Sequence, residues 1–145
     1  MDATPPSLLD LTSYLLAQTG RRARGRLATR LAERELRLWH LSILAALADF
    51  GPHAQRELAE RLGIDASDTV RLLDELSRGG LVERTRSTTD RRRIQVTLTP
   101  AGQATLADLR NEAAAVQDEV LAPLSPAERA QLHQLLLRVF TADRT

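Results

Sequence analysis

The sequence predicts a mainly α-helical chain carrying one small β-hairpin. Three observations lead there. Apolar residues recur at three- and four-residue spacing along most of the chain, strict two-residue alternation occurs at Ile94-Gln95-Val96-Thr97-Leu98, and Gly79-Gly80 separates the preceding helical pattern from that hairpin.

Composition sets the outer limits. At 145 residues the chain has the usual size of one domain and can bury a core without covalent staples. The absence of Cys leaves no disulfide framework, no Cys-ligated zinc and no thiol redox sensor. His40, His53 and His133 have no ligand-like spacing, so neither a metal nor a cofactor is expected. No apolar run approaches the roughly 18 residues of a membrane span, and the opening MDATPPSLLD is acidic, so the expectation is a cytoplasmic chain with no membrane partner. No nucleophile and base fall in a recognised motif, and no glycine loop is built to cradle phosphate, so an enzyme is not expected.

The net charge of +1 hides an uneven distribution. Residues 20 to 40 hold seven Arg against two Glu, residues 81 to 99 hold five Arg against Glu83 and Asp90, and residues 103 to 145 hold four Arg against six acids. All twenty basic residues are Arg, a bias that by itself carries no functional information.

The elements follow in order. Leu8, Leu11, Leu15, Leu27 and Leu31 predict a helix over 7–34, with Gly20 and Gly25 as its only interruptions. Its Arg21, Arg22, Arg24 and Arg26 fit a solvated face or a phosphate contact equally well. A second helix, Leu38 to Phe50, carries Leu41, Leu44, Leu47 and Ala48 and stops at Gly51-Pro52. AQRELAERLG, Ala54 to Gly63, predicts a short helix burying Leu58, Ala59 and Leu62, with Gly63 as its left-handed end. Asp65 is placed as an N-cap and Asp68 as a capping-box acid, opening a helix from Ala66 to Arg78 whose buried stripe is Val70, Leu73 and Leu76. Two short helices joined by a tight Gly-containing turn make a helix-turn-helix.

After Gly79-Gly80, Leu81 to Arg84 starts one strand and Ile94 to Leu98 forms its partner. Ser87 to Arg92 is left as the loop of a wing. Thr99 caps a long helix with Pro100 at its first position, lined by Leu106, Leu109, Ala113, Val116 and Val120. Ser125-Pro126-Ala127-Glu128 is a capping box opening a last helix with Leu132, Leu135, Leu136, Val139 and Phe140. The terminal helices carry more apolar surface than a small winged lobe can cover, which points to a second chain.

RELAERLGI, VRLLDELSRGGLVER and DRRRIQVTLTPAG, in this order and register, resemble the MarR family of bacterial transcriptional regulators. The resemblance implies a winged helix-turn-helix with long N- and C-terminal dimerisation helices. The 145 residues would form one MarR-type domain, with dimerisation helices at 7–34 and 100–145 and a DNA-binding lobe at 38–99. It implies a homodimer on double-stranded DNA with a pseudo-palindromic operator, and a repressor released by a small aromatic or anionic effector. The family's wing motif of Asp, any residue, Arg falls on Asp90 and Arg92: Arg92 would enter the minor groove, where negative potential is concentrated, and Asp90 would orient it. Arg86, Arg91 and Arg93 flank it as phosphate contacts.

On the helix from Ala66 to Arg78, Ser67, Thr69 and Arg71 are the expected base readers, while Gln55 and Arg56 on the preceding helix are expected at backbone phosphates. Arg84 is expected in a structural ion pair. Tyr14, Trp39 and His40 are the aromatic groups placed nearest the family's effector crevice, with core packing as their other reading. A competing reading of the whole chain is a winged-helix module for protein association, its hairpin arginines meeting an acidic partner.

Overall fold

A computed structural model describes residues 3–143. The elements are α1 (Pro6–Leu9), α2 (Thr12–Ala32), α3 (Leu38–Phe50), β1 (His53–Ala54), α4 (Gln55–Leu62), α5 (Ala66–Arg78), β2 (Val82–Arg86), β3 (Ile94–Leu98), α6 (Pro100–Val120) and α7 (Pro126–Ala142). Contacts divide the chain into two compact units, Met1–Arg26 with Ala114–Thr145, and Leu27–Ala113. Among the described residues no helix is long and apolar enough to cross a membrane.

The larger unit holds most of the core. Leu31, Ile43, Leu44, Leu58, Leu73, Leu76, Val96 and Leu109 are all but inaccessible to solvent. Each comes from the apolar stripe of its helix or the inward face of β3, so periodicity alone accounts for their burial. Just past α2, Glu35 adopts φ 58° and Leu36 N donates to Leu31 O at 3.0 Å, a left-handed stop built without glycine. The last turn of α2 and the turn after it are tied to α6 by ion pairs: Arg30 meets Glu112 at 3.1 Å, and Arg34 meets Asp108 at 3.4 Å.

The sheet is antiparallel in the order β1-β3-β2. Val82 lies opposite Leu98 and Arg86 opposite Ile94. β1 is a strand that the sequence reading misses, having placed Ala54 in the helix: His53 and Ala54 instead pair with Val96 and Gln95. Arg61 Nε donates to His53 Nε2 at 2.9 Å, so the ring proton sits on Nδ1, which donates to Gly51 O at 2.7 Å. Two backbone pairs alone would be a weak strand; the anchored imidazole holds it in register.

The first unit differs from expectation at its start. The helix expected over 7–34 is broken near Asp10, where Leu11 N bonds back to Leu8 O at 3.1 Å in a tight turn, while Gly20 and Gly25 lie inside α2 without interrupting it. The capping box at α7 is formed: Ser125 Oγ accepts from Glu128 N at 3.2 Å, and Glu128 accepts from Ser125 N at 2.9 Å. α7 buries none of its residues, and Leu135, Leu136, Leu137, Val139 and Phe140 all stand exposed.

Gly102 lies where α6 meets the foot of the wing. Thr99 Oγ1 accepts from Gly102 N at 3.0 Å and donates to Gly80 O at 2.6 Å, drawing the first turn of α6 onto the backbone of Leu81. A Cβ on Gly102 would lie 2.1 Å from Leu81 O and 2.6 Å from Leu98 Cδ1. A backbone carbonyl cannot swing aside as a side chain can. Gly102→Ala is therefore expected to cost at least about 1–3 kcal/mol in urea unfolding. Gly20→Ala, in a helix interior with nothing within 4 Å of the added carbon, should instead gain about 0.5–1 kcal/mol.

Candidate nucleic-acid interface

α5 turns Thr69, Leu72, Leu73 and Leu76 into the core. That stripe keeps the expected Leu73 and Leu76 but has Thr69 and Leu72 in place of Val70, and the correction matters at its N-terminal end. Thr69, expected to read bases, is 1% exposed and its Oγ1 donates to Asp65 O at 2.9 Å. Val70 takes its place on the outside, 41% exposed. The spacing 69, 72, 73, 76 is the better helical stripe, and the signal was Leu72, which the stripe through Val70 leaves out. Ser67 and Arg71 are exposed as expected.

Neither acid at this helix start caps it through its side chain. Asp65 makes no side-chain cap and accepts from Ser67 Oγ at 2.6 Å, while Asp68 pairs with Arg71 at 2.9 Å. Between α4 and α5 lies an open cleft of about 550 Å³, lined by Gln55, Arg56, Glu60, Ala66, Thr69 and Val70 among others. Arg56 is exposed there; Gln55 is half-buried, its Oε1 shielded from solvent and without a partner among the described residues.

Two acids on the flank of α5 fix its orientation. Asp74 meets Arg84 of β2 at 2.7 Å, the structural pair expected for Arg84. Glu75 accepts two bonds from Arg37 Nη2, at 2.8 and 2.9 Å, and lies 2.8 Å from His40 Nε2. His40 Nδ1 accepts from Arg37 N at 2.8 Å, so the ring is held as the Nε2–H tautomer facing Glu75. This corrects the placement of His40 as an effector contact: its side chain is wholly buried, Nδ1 accepts from Arg37 N and Nε2 lies 2.8 Å from the Glu75 carboxylate. Trp39 is 44% exposed, and Tyr14 is half-buried in the other unit.

The wing tip is closed by its own backbone. Ser87 N donates to Arg93 O at 2.9 Å, Arg93 N to Asp90 O at 3.0 Å, and Ser87 Oγ accepts from Asp90 N at 3.3 Å. Asp90 Oδ1 accepts from the backbone N of Arg92 at 3.0 Å, so the carboxylate shapes the turn that carries Arg92 and does not grip its guanidinium. Arg86 Nη1 donates to Arg91 O at 2.7 Å, and Arg93 pairs with Glu57 of α4. Two of the arginines expected at phosphates are thus engaged within the chain. Among the described residues Arg91 and Arg92 have no side-chain partner, and both are exposed at the tip.

The MarR family model matches residues 35–93, the segment that runs from the end of α2 through the wing tip. The transcriptional repressor CouR, solved bound to a 23-mer DNA duplex, is 30% identical with a TM-score of 0.79, covering 96% of this chain and 99% of its own. The chain belongs to the MarR family of transcriptional regulators. The PcaV transcriptional regulator of Streptomyces coelicolor, solved with its natural ligand, is 27% identical with a TM-score of 0.69, covering 98% and 99%. A transcriptional regulatory protein named for the hcr operon of Thauera aromatica is 34% identical over 101 residues; the match takes in 70% of this chain and 61% of that relative.

The Arg37–Glu75–His40 cluster has a consequence in acid. Burial pushes the His40 imidazole below its ordinary 6.5, and the Glu75 carboxylate only partly offsets this. Burial also raises Glu75, but Arg37 and His40 outweigh it and leave the carboxyl below its ordinary 4.5. From pH 6.5 downward the unfolded chain therefore binds a proton at His40 that the folded protein refuses, so stability falls with pH by up to about 1.4 kcal/mol per unit until the folded-state value is reached. The contribution of Glu75 is lost lower still, below pH 4.5. His40→Asn, whose Oδ1 can still accept from Arg37 N, is expected to flatten the dependence just below pH 6.5 in urea titrations and leave the lower limb in place.

Proposed function

We propose that this MarR-family chain is a homodimeric, sequence-specific DNA-binding repressor of the cytoplasm, released from its operator by a small aromatic or anionic effector. One observation carries the reading: the exposed Arg91 and Arg92 stand at a wing tip whose other arginines are engaged, beside a recognition helix that presents Ser67, Val70 and Arg71 outward. A guanidinium with no internal partner sheds only water to enter a narrow minor groove, where negative potential is concentrated. Val70 adds an apolar group suited to a thymine methyl, and Ser67 and Arg71 add polar contacts to base edges. Arg56, exposed on α4, would add a backbone phosphate contact. The DNA-bound CouR supports the same reading by likeness.

Dimerisation is supported by the unburied apolar face of α7 together with exposed Leu9, Leu11, Leu15 and Leu16 in the same unit. A monomer would hold this surface in water at a cost of about 25 cal/mol per Å². Two copies related by a two-fold axis would present two recognition helices to half-sites roughly 10 base pairs apart. The effector part of the proposal rests on PcaV, solved with its natural ligand, and on Tyr14 and Trp39 as aromatic surfaces.

Selection of duplexes from a random pool by the purified protein tests the reading. The expected outcome is enrichment of a pseudo-palindrome, bound by a species of twice the chain mass. On that duplex Arg92→Ala should weaken binding about tenfold and lower the slope of log affinity against log salt by about 1 per wing, read by fluorescence anisotropy across a salt series. A folded dimer that enriches no sequence would instead favour the protein-association module.

A further inference from the structure

The wing tip makes many bonds to itself and few to anything else. Residues 87 to 93 are closed by the Ser87–Arg93 and Arg93–Asp90 backbone bonds and by the Asp90 and Arg86 side chains. Sheet pairing ends at Arg86 opposite Ile94. The direction in which this closed tip points is therefore set at its foot, where Arg93 immediately precedes β3.

At that foot a single carboxylate gathers three elements. Glu57, in the first turn of α4, accepts the Arg93 guanidinium on Oε1, and its Oε2 accepts from Ala54 N at 3.4 Å. Ala54 belongs to β1 and pairs with Gln95 of β3. Glu57 thus joins α4, β1 and the start of β3 at one point, and the Arg93 bond holds its carboxyl below the ordinary range. The reach of the tip amplifies any looseness here: the turn that bonds Arg93 N to Asp90 O leaves Asp90 up to about 10 Å from Ile94, so a tilt of about 10° moves the tip by up to about 1.7 Å. That exceeds the tolerance of a hydrogen bond.

We infer that Glu57 and Arg93 are a positioning pair that aims the wing, and that Arg93 makes no contact with DNA. The inference rests on the DNA-binding reading above and assigns Arg93 a different role from the phosphate contact expected of it. Both side chains are about half exposed, 53% for Glu57 and 50% for Arg93. Exposed pairs of this kind contribute little to global stability. The pair's effect is therefore on where Arg91 and Arg92 point, and only slightly on whether the lobe folds.

The sign of one substitution separates the two roles. Glu57→Gln keeps an acceptor for Ala54 N, removes an acid from the DNA-facing lobe and raises the net charge by one. If Arg93 were a phosphate contact restrained by Glu57, this change would free it and tighten binding. If the pair aims the wing, binding weakens although the protein has become more positive.

The test measures binding of wild type, Glu57→Gln, Arg93→Gln and the double variant to the duplex that wild type enriches from a random pool, with thermal melts and mass to confirm fold and assembly. The expected result is a loss of about three- to tenfold for each single variant at nearly unchanged melting temperature, with the double no weaker than either single, the signature of a coupled pair. Wild-type binding with Glu57→Gln equal or tighter overturns the positioning pair and returns Arg93 to the phosphates. Losses that add in the double variant overturn it as well, because independent roles add. Failure of wild type to enrich any duplex overturns the DNA-binding reading itself, an outcome visible before any variant is compared.

Discussion

The orientation of α5 depends first on one carboxylate, with Asp74 as a second anchor to Arg84 of β2. Glu75 reaches from the flank of α5 to two bonds from the Arg37 guanidinium and to the buried His40 ring, and the other face of that ring system accepts the Arg37 amide at the start of α3. A helix packed only by leucines can slide and rotate over its neighbours at modest cost, since apolar contact is not directional. Charge-assisted bonds with fixed geometry remove that freedom. Because α3 and α5 each contribute buried leucines to the same core, fixing α5 against α3 also fixes which residues of α5 remain outside.

The same logic runs through the arginines of the lobe. In a chain whose twenty basic residues are all Arg, the side chains that hold the structure and those left for a partner are chemically identical, and only neighbouring acids and carbonyls distinguish them. Asp74 takes Arg84, Glu57 takes Arg93, the carbonyl of Arg91 takes Arg86, and Glu112 with Asp108 takes the arginines at the end of α2. The positive charge left at the wing tip is Arg91 and Arg92. A lobe whose nine arginines over residues 38–99 are matched by nine acids is thereby held together by internal pairing, while the unpaired positive charge of its wing lies at the tip, where a polyanion would meet it.

Much of this was legible in the sequence because local rules decide it. The bounds of α3, α5 and β3 follow from periodicity and from the stops at Gly51, Gly79 and Ile94 to Leu98 alternation, and Gly63 and Gly80 adopt the left-handed conformation their positions demand. The capping box at Ser125 formed for the same reason. Where the reading erred, a competing local bond or a non-local contact had overridden the preference it relied on. Asp65 and Asp68 have the right spacing for a cap, yet Ser67 and Arg71 take their carboxylates. β1 is too short to announce itself, and exists because β3 lies beside it and Arg61 holds the His53 ring.

By itself the sequence determined the class of fold, the order of its longer helices and the two wing strands, and the presence of an arginine-tipped wing, all consequences of spacing between near neighbours in the chain. Only the tertiary structure decided which arginine serves which purpose. Arg86, Arg91, Arg92 and Arg93 lie within eight positions of one another and look alike in sequence, but Arg93 finds an acid 36 residues away on α4 and Arg86 finds a carbonyl across the hairpin. Likewise Thr69 and Val70 exchange their expected places because burial on α5 is set by the combined surface of its neighbours, and adjacent residues of a helix stand about 100° apart. Charge pairing and helix phase depend on distances through space, and those distances exist only once the chain has folded.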